Sequence, residues 1–459
     1  MKNNTADLRI FDRLMPAGMY STNIEDLICY GYDASGHSGS PIAVFWPETT
    51  QNVADIMEVA YKNDFKIVPR GAGTGMTGGS VPAFPCIILC MERMNKILEI
   101  DTANMTALVQ PGVINAHLQR QLNELGYFYP PDPASMEICT IGGNVAENAG
   151  GPSALKYGVT KDYVLAIEAV LSDGRIINTG VKTAKGVVGY DLNSLLVGSE
   201  GTLAIFTKIR LRILRSPEKT VTILALFDNI SEAGNVIIEI MTSGILPRTL
   251  EIMDRTTISA INSFKPSTLP DNVDAALLIE LDSSPETIKR ETNDIAKICK
   301  EYNGKVNIAR NPTEQSILWV ARRSISPALY RINHDKINED IVVPITMMTQ
   351  MLLKLKELSK RTGITIASFG HAGDGNIHVN VMPDRNKKGD VELAGNLVKE
   401  IFQITLDMGG TISGEHGIGM TKSKYIGMEI EAPVLDIMRG IKKLMDHKNL
   451  INPGKIFPS

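Results

Sequence analysis

Between Pro41 and about Leu214, the apolar residues fall into short runs that alternate between two periods. IAVFWP has the character of a buried strand, and TTQNVADIMEVAYKND repeats its apolar positions at helical spacing. FKIVPR, CIILCM, ILEID and TALVQPG are again strand-like, and VINAHLQRQLNELG predicts a second amphipathic helix. VLAIEAVLSDGRIINTG predicts a strand pair turning on Asp173-Gly174, and GTLAIFTKIRLRIL a closing hairpin-like piece. The mixture predicts an α+β domain. Past Arg215-Ser216-Pro217 come TVTILALFD, the helix ISEAGNVIIEIMTSG and TLEIMD, then ALLIELD, the helix SPETIKRETNDIAKICKEYN and VNIAR. These paired units predict an antiparallel sheet with helices on one face. The resulting division is an N-terminal helical segment, 1–37, a first domain, 38–216, and a second domain, 217–459.

A chain of 459 residues is too long for one ordinary core, consistent with that division. The formal charge of −4, without Lys/Arg blocks, offers no footprint for nucleic acid. No run of about 18 apolar residues predicts a membrane span. MKNNTADLRIFDRLMP lacks the basic start and apolar core of an export signal. The five cysteines are scattered, with no C-x-x-C pair, so a reducing, cytoplasmic setting is expected and no Cys-ligated iron–sulfur cluster is visible.

Candidate chemistry begins at PRGAGTGMTGGSVP. Gly73, Gly75 and Gly78 satisfy G-x-G-x-x-G, but a dinucleotide-binding turn needs a helix starting within the glycines, and Pro82 and Pro85 interrupt the next turns of chain. The alternative is strand, glycine turn, strand: a nest of backbone N–H groups able to hold a phosphate. A flexible surface loop is the bland reading of the same residues. PPDPAS, TIGGNVAENAGG and GSEGTLAI repeat the theme, although turns made by glycine and local capping by Asn144 and Asn148 would explain any one of them.

Taken together and in order, these four segments resemble the vanillyl-alcohol-oxidase, or PCMH, type of two-lobed FAD-binding domain over about residues 38–216. The resemblance implies that Arg70, Gly71, Ala72, Gly73, Thr74, Gly75, Thr77, Gly78 and Gly79 meet the cofactor around its phosphates. It likewise implies that Asp132, Gly142, Gly143, Asn144, Asn148, Gly151, Glu200, Gly201 and Ile205 flank its ribityl chain, ring or adenine. Some relatives attach flavin covalently through a loop histidine or a cysteine. No histidine lies between Arg70 and Pro82, and Cys139 suits a buried inert thiol, so non-covalent FAD is expected.

In the second half, FGHAGDGNIHVNV places His371 and His378 on either side of a Gly-Asp-Gly turn, and SGEHGIG sets Glu415 beside His416 among glycines. Two imidazoles and a carboxylate suit a divalent metal with open positions, while hydrogen bonding of both histidines to loop carbonyls fits the spacing equally well. With the closing NPGK, these segments resemble the C-terminal domain of FAD-linked 2-hydroxy acid dehydrogenases, a family of D-lactate and D-2-hydroxyglutarate dehydrogenases and the flavin subunit of bacterial glycolate oxidase. The resemblance implies a C-terminal substrate (cap) domain, a metal, often zinc, on His371, His378 and Glu415, and His416 as base. It also nominates Arg322 and Lys336, from LWVARRSISPAL and KINEDIVVP, for the substrate carboxylate. Arg323 departs from the family, which often has an acidic residue there.

The activity so implied is FAD-dependent oxidation of a D-2-hydroxy acid, D-lactate or glycolate, to the 2-oxo acid by hydride transfer to flavin N5. Electrons would pass to an external acceptor such as an electron-transferring flavoprotein or an iron–sulfur subunit. Competing readings are another alcohol oxidase of the same superfamily and a flavin-binding scaffold subunit without turnover of its own.

Overall fold

The computed structural model describes residues 4–12, 14–16, 18–264, 269–270 and 272–458. The chain forms two compact units. The first comprises Met1–Gly150, Val159–Ser216 and Glu415–Ser459, and the second Gly151–Gly158 and Pro217–Gly414. The second unit takes up the chain again at Pro217 but does not run to the C-terminus. The last segment returns to the first unit because Ile451 bridges to Ile67 in parallel and Asn452 N–H donates to Ile67 O at 2.7 Å. The short piece 151–158 belongs to the second unit, where Lys156 pairs with the buried Asp282 and Arg248 Nε donates to Ser153 Oγ at 3.0 Å.

The first unit holds a parallel arrangement of Ala43–Phe45, Ile87–Cys90 and Ile67–Arg70, with Ile87–Cys90 central. Helix Thr50–Asn63 connects two of these strands. Thr49 caps it by accepting from Asn52 N–H, and Val53, Ile56, Met57 and Ala60 face the core. The segment 1–37 is less helical than expected; residues 1–3, 13 and 17 lie outside the described residues. It contains a 3₁₀ stretch, Asn4–Phe11, a helix, Ile24–Tyr30, and an edge strand, Tyr20–Ser21, paired antiparallel with Val44 and Phe45. Phe11, Met15 and Met19 anchor it in the sheet's core.

A second, antiparallel sheet runs in the order Ile97–Asp101, Thr106–Val109, Ile205–Arg212, Val164–Val170, Ile176–Gly180. The expected strand pair around Asp173-Gly174 is its edge. GTLAIFTKIRLRIL is not a hairpin: it supplies one central strand, Ile205–Arg212, and a short continuation, Leu214–Arg215, that pairs with Tyr127–Phe128. Eight residues without a turn former stay extended, and neighbours from elsewhere in the chain satisfy both edges.

The second unit is built on seven antiparallel strands in the order Lys305–Ile308, Lys219–Phe227, Ala275–Ser283, Thr249–Asp254, Thr365–His371, Asn376–Met382, Ile337–Val342. Successive strand residues face opposite sides, yet Ala275 to Asp282 are all buried. Both faces of that central strand are therefore covered, where sequence pattern predicted one.

Candidate active site

Strand Ile67–Arg70 delivers the glycine loop, and no helix follows before strand Ile87–Cys90. Gly73 adopts φ +70°, and a Cβ there would collide with the Arg70 guanidinium. Arg70 is buried beneath the turn, its Nη1 donating to Tyr32 O at 2.6 Å and to Ser80 Oγ at 3.3 Å. A Cβ at Gly71 would meet Thr140 Oγ1, so the two segments approach backbone to side chain with no room to spare.

Thr140 opens the helix Ile141–Glu147, its hydroxyl accepting from Gly143 N–H at 3.2 Å. Gly142 N–H donates to Pro111 O, and a Cβ at Gly142 would meet that proline at 2.6 Å. Asn148, with φ +55°, ends the helix in the left-handed conformation asparagine tolerates. Sequence pattern placed amides and glycines here without foreseeing a helix; Thr140, three residues before Gly143, is the capping signal that could have found it.

The loop and the helix wall one cavity. Of the residues nominated for the cofactor, Arg70, Gly71, Ala72, Gly73, Thr74, Gly75, Gly79, Gly142, Gly143, Asn144, Glu200, Gly201 and Ile205 line it. Met76, Met91 and Phe206 add apolar surface. Thr77, Gly78, Asp132 and Asn148 lie outside the lining, and Gly151 begins the short piece of the second unit. Thr77 and Gly78 instead hold the loop to its neighbours, Thr77 Oγ1 donating to His416 O at 3.2 Å and Gly78 abutting Met420.

Glu415 and His416 line the same cavity, both partly buried, with His416 Nε2 3.9 Å from Glu415 Oε1. Two positive-φ glycines, Gly417 and Gly419, fold this stretch back on itself, and Glu200 accepts from Ile418 N–H at 2.8 Å and Gly419 N–H at 2.6 Å. The closing NPGK laces the glycine loop from behind. Asn452 Nδ2 donates to Gly79 O and Glu200 O, each at 2.9 Å, while Lys455 Nζ donates to Gly78 O at 2.6 Å and Val81 O at 2.8 Å. Burial pushes the Lys455 ammonium down to about 8. Neither Lys455 nor Asn452 was nominated from the sequence, where NPGK carried only a resemblance.

This lining fits FAD. Bare glycine backbone lines the cavity, offering N–H donors of the kind a pyrophosphate needs, and a buried guanidinium, that of Arg70, lies beneath.

In the second unit, Thr365–His371 and Asn376–Met382 form the expected hairpin, pairing Phe369 with His378 and His371 with Asn376. The two imidazoles meet edge to face with centroids 5.2 Å apart. Glu251, fully buried on the neighbouring strand Thr249–Asp254, binds His371 Nδ1 at 2.5 Å and Arg322 Nε at 2.6 Å. Arg322 in turn stacks over Phe369 at 4.8 Å, and Phe369 tilts against His378 at 5.0 Å. The five side chains close a ring of contacts. Burial opposes ionisation of Glu251, but Arg322 and His371 outweigh it and hold the carboxyl below its ordinary range. A carboxylate on Nδ1 orients His371 with Nε2 directed away, the arrangement that prepares an imidazole for a metal. Sequence pattern did not single out Glu251; an acid between the apolar Leu250 and Ile252 of the strand TLEIMD was its signal. Lys336 is half-buried, its Nζ donating to Ser326 Oγ at 3.0 Å, and burial pushes it down to about 8.

Residues 216–456 match the family described as FAD linked oxidases, C-terminal domain, and residues 41–180 match the FAD binding domain. The chain belongs to the FAD-linked oxidases. Among the relatives of this oxidase is the glycolate oxidase subunit GlcD of Bacillus subtilis (strain 168), 42% identical over 94% of this chain and 92% of that protein. A D-lactate dehydrogenase of Archaeoglobus fulgidus is 35% identical over 89% of this chain and 90% of its own. The crystal structure of p-cresol methylhydroxylase with substrate bound superposes with a TM-score of 0.80 over 99% of this chain and 97% of its own, at 16% identity, a likeness of fold. This oxidase is an FAD-dependent oxidoreductase with a PCMH-type FAD-binding fold and an antiparallel-sheet C-terminal domain. No described helix is long and apolar enough to cross a membrane.

Proposed function

We propose that the chain oxidises a D-2-hydroxy acid, with D-lactate and glycolate as the favoured substrates, to the 2-oxo acid. The observation that carries this reading is that His416 lines the same cavity as the glycine loop, so an imidazole faces the space suited to the cofactor. The names of the relatives, a glycolate oxidase subunit and D-lactate dehydrogenases, support the substrate class.

When bound, FAD supplies a hydride acceptor at N5. The chain's own residues must then remove the hydroxyl proton and fix one face of Cα. His416 takes the proton as general base. Arg322 and Lys336 hold the carboxylate; Glu251 occupies the Nε and Nη2 side of Arg322, leaving Nη1 outside that pair, and a guanidinium matches a carboxylate in two-pronged geometry. His371, His378 and Glu415 would hold a divalent metal, zinc among the candidates, which would lower the hydroxyl pKa. The orientation of His371 by Glu251 supports it as a ligand.

FAD is held without a covalent bond in this reading. Cys139 is buried, and burial raises its thiol pKa, the opposite of what a reactive thiolate requires. Electrons leave to an external acceptor, an electron-transferring flavoprotein or an iron–sulfur subunit, and the protein acts in the cytoplasm. The test is anaerobic bleaching of the holoenzyme against a panel of D- and L-2-hydroxy acids and glycolate. Rapid bleaching by D-lactate or glycolate is expected. A yellow enzyme that none of them bleaches would overturn the reading.

A further inference from the structure

The cavity lined by the glycine loop also carries a carboxyl group that the proposed chemistry leaves unused. Glu147, the last residue of helix Ile141–Glu147, lines it. The side chain is half-buried, but its Oε2 is shut off from solvent and has no hydrogen-bond partner among the described residues. Glu200 lies close by. A Cβ placed on Gly417 would sit 2.8 Å from Glu147 Oε2 and 3.0 Å from an oxygen of Glu200, so both carboxyls converge on one bare stretch of backbone.

Their surroundings differ. Glu200 receives two backbone N–H donors, from Ile418 and Gly419, which favour its ionised form. Glu147 receives none that is described. Two adjacent carboxyls in a water-poor site cannot both ionise without mutual repulsion, so the proton stays on the group lacking donors. Burial first, then the charges of Glu200 and Asp33, raise Glu147 well above the ordinary carboxylate range; burial also raises Glu200, opposed by the two N–H groups, Lys422 and Lys455. Asn144, three residues earlier and hence on the same helix face, also lines the cavity. Glu147 thus borders the cavity with a carboxyl whose Oε2 no described protein group receives.

We propose that Glu147 is a proton-bearing hydrogen-bond donor to the bound flavin, and that its donation makes the flavin a stronger oxidant. Donation to a ring that gains electrons favours the reduced form over the oxidised one. The inference rests on FAD occupying this cavity. It assigns Glu147 a tuning role, distinct from proton removal by His416.

Three holoenzymes test it: wild type, Glu147→Gln and Glu147→Leu. Each is measured for FAD stoichiometry, for midpoint potential by dye equilibration, and for the infrared C=O stretch of a protonated carboxylic acid in reduced-minus-oxidised difference spectra. Wild type is expected to show the band and both variants to lose it. Glu147→Gln, whose amide still donates, should keep the wild-type potential. Glu147→Leu should lower the reduced-to-oxidised ratio about tenfold, which for a two-electron couple is a potential about 30 mV more negative. An unchanged potential in FAD-loaded Glu147→Leu, a Glu147→Gln potential displaced as far as that of the leucine variant, or no acid band lost in Glu147→Gln would overturn the proposal. Should Glu147→Leu fail to retain FAD, the band comparison in the near-isosteric Glu147→Gln decides alone. Wild type that binds no FAD would sink the cofactor assignment instead.

Discussion

The two candidate sites bury charge in opposite ways. In the first, Arg70 and Lys455 are buried against backbone carbonyls, of Tyr32, Gly78 and Val81, and among the described residues neither has a carboxylate within ion-pair distance. In the second, Glu251 is neutralised from two sides within a closed ring of side chains. In the proposed reading the first is a cradle for a large polyanion, whose own charge would serve as the counterion. A site that must aim imidazoles cancels its internal charge and uses the ion pairs for orientation. In that reading one site would be completed by its cofactor, whereas the other has its charges paired within the protein.

The comparison breaks most decisively at His416. Replacement by alanine should slow flavin bleaching by substrate about 10²–10⁴-fold while FAD stays bound, since the imidazole is proposed to move a proton and not to hold the cofactor. Stopped-flow absorbance would show it, and wild-type bleaching would remove His416 from the chemistry. Glu251→Ala comes next. It leaves the Arg322 charge and His371 buried without their shared partner, at a cost of about 3–5 kcal/mol in chemical denaturation. FAD stoichiometry measured before the transition should be unchanged, because the ring belongs to the second unit alone. Loss of FAD at unchanged stability would invert the assignment of roles.

Lys455→Met sharpens the other side. It strands the carbonyls of Gly78 and Val81 and removes the positive charge behind the loop, so FAD binding should weaken by about 1–3 kcal/mol in a fluorescence titration. Unchanged FAD affinity would mean that the lysine only props the chain. The smallest effect concerns Lys336. Its pKa of about 8, depressed by burial, means that it is charged below that pH and neutral above it. KM for the hydroxy acid should therefore rise as pH passes about 8, with kcat little changed, and Lys336→Arg, which stays charged, should flatten the profile. A flat KM in the native enzyme would exclude Lys336 from carboxylate binding.

Much of this was legible in local sequence. Helices Thr50–Asn63 and Asn115–Glu124, the His371/His378 hairpin and the absence of a helix after the glycine loop each follow from periods, caps and prolines within a dozen residues. Two misreadings share one cause. GTLAIFTKIRLRIL became a central strand, and the last segment rejoined the first unit, because partners far along the chain satisfied them. Glu147 stands within TIGGNVAENAGG yet gives no local sign of a role, since a lone Glu in a helical stretch is ordinarily a solvated residue.

By itself the sequence determined most of the strands and helices, the bare backbone of the glycine loop, and which residue types could serve a flavin, for those properties depend on neighbours in the chain. Only the tertiary structure decided that Asn452 holds Gly79 from 373 residues away and that Glu251 orients His371 from 120 residues away. Such meetings are set by burial and by the demand that every buried charge and carbonyl find a partner. That condition is imposed on the whole fold, and no short window of residues contains it.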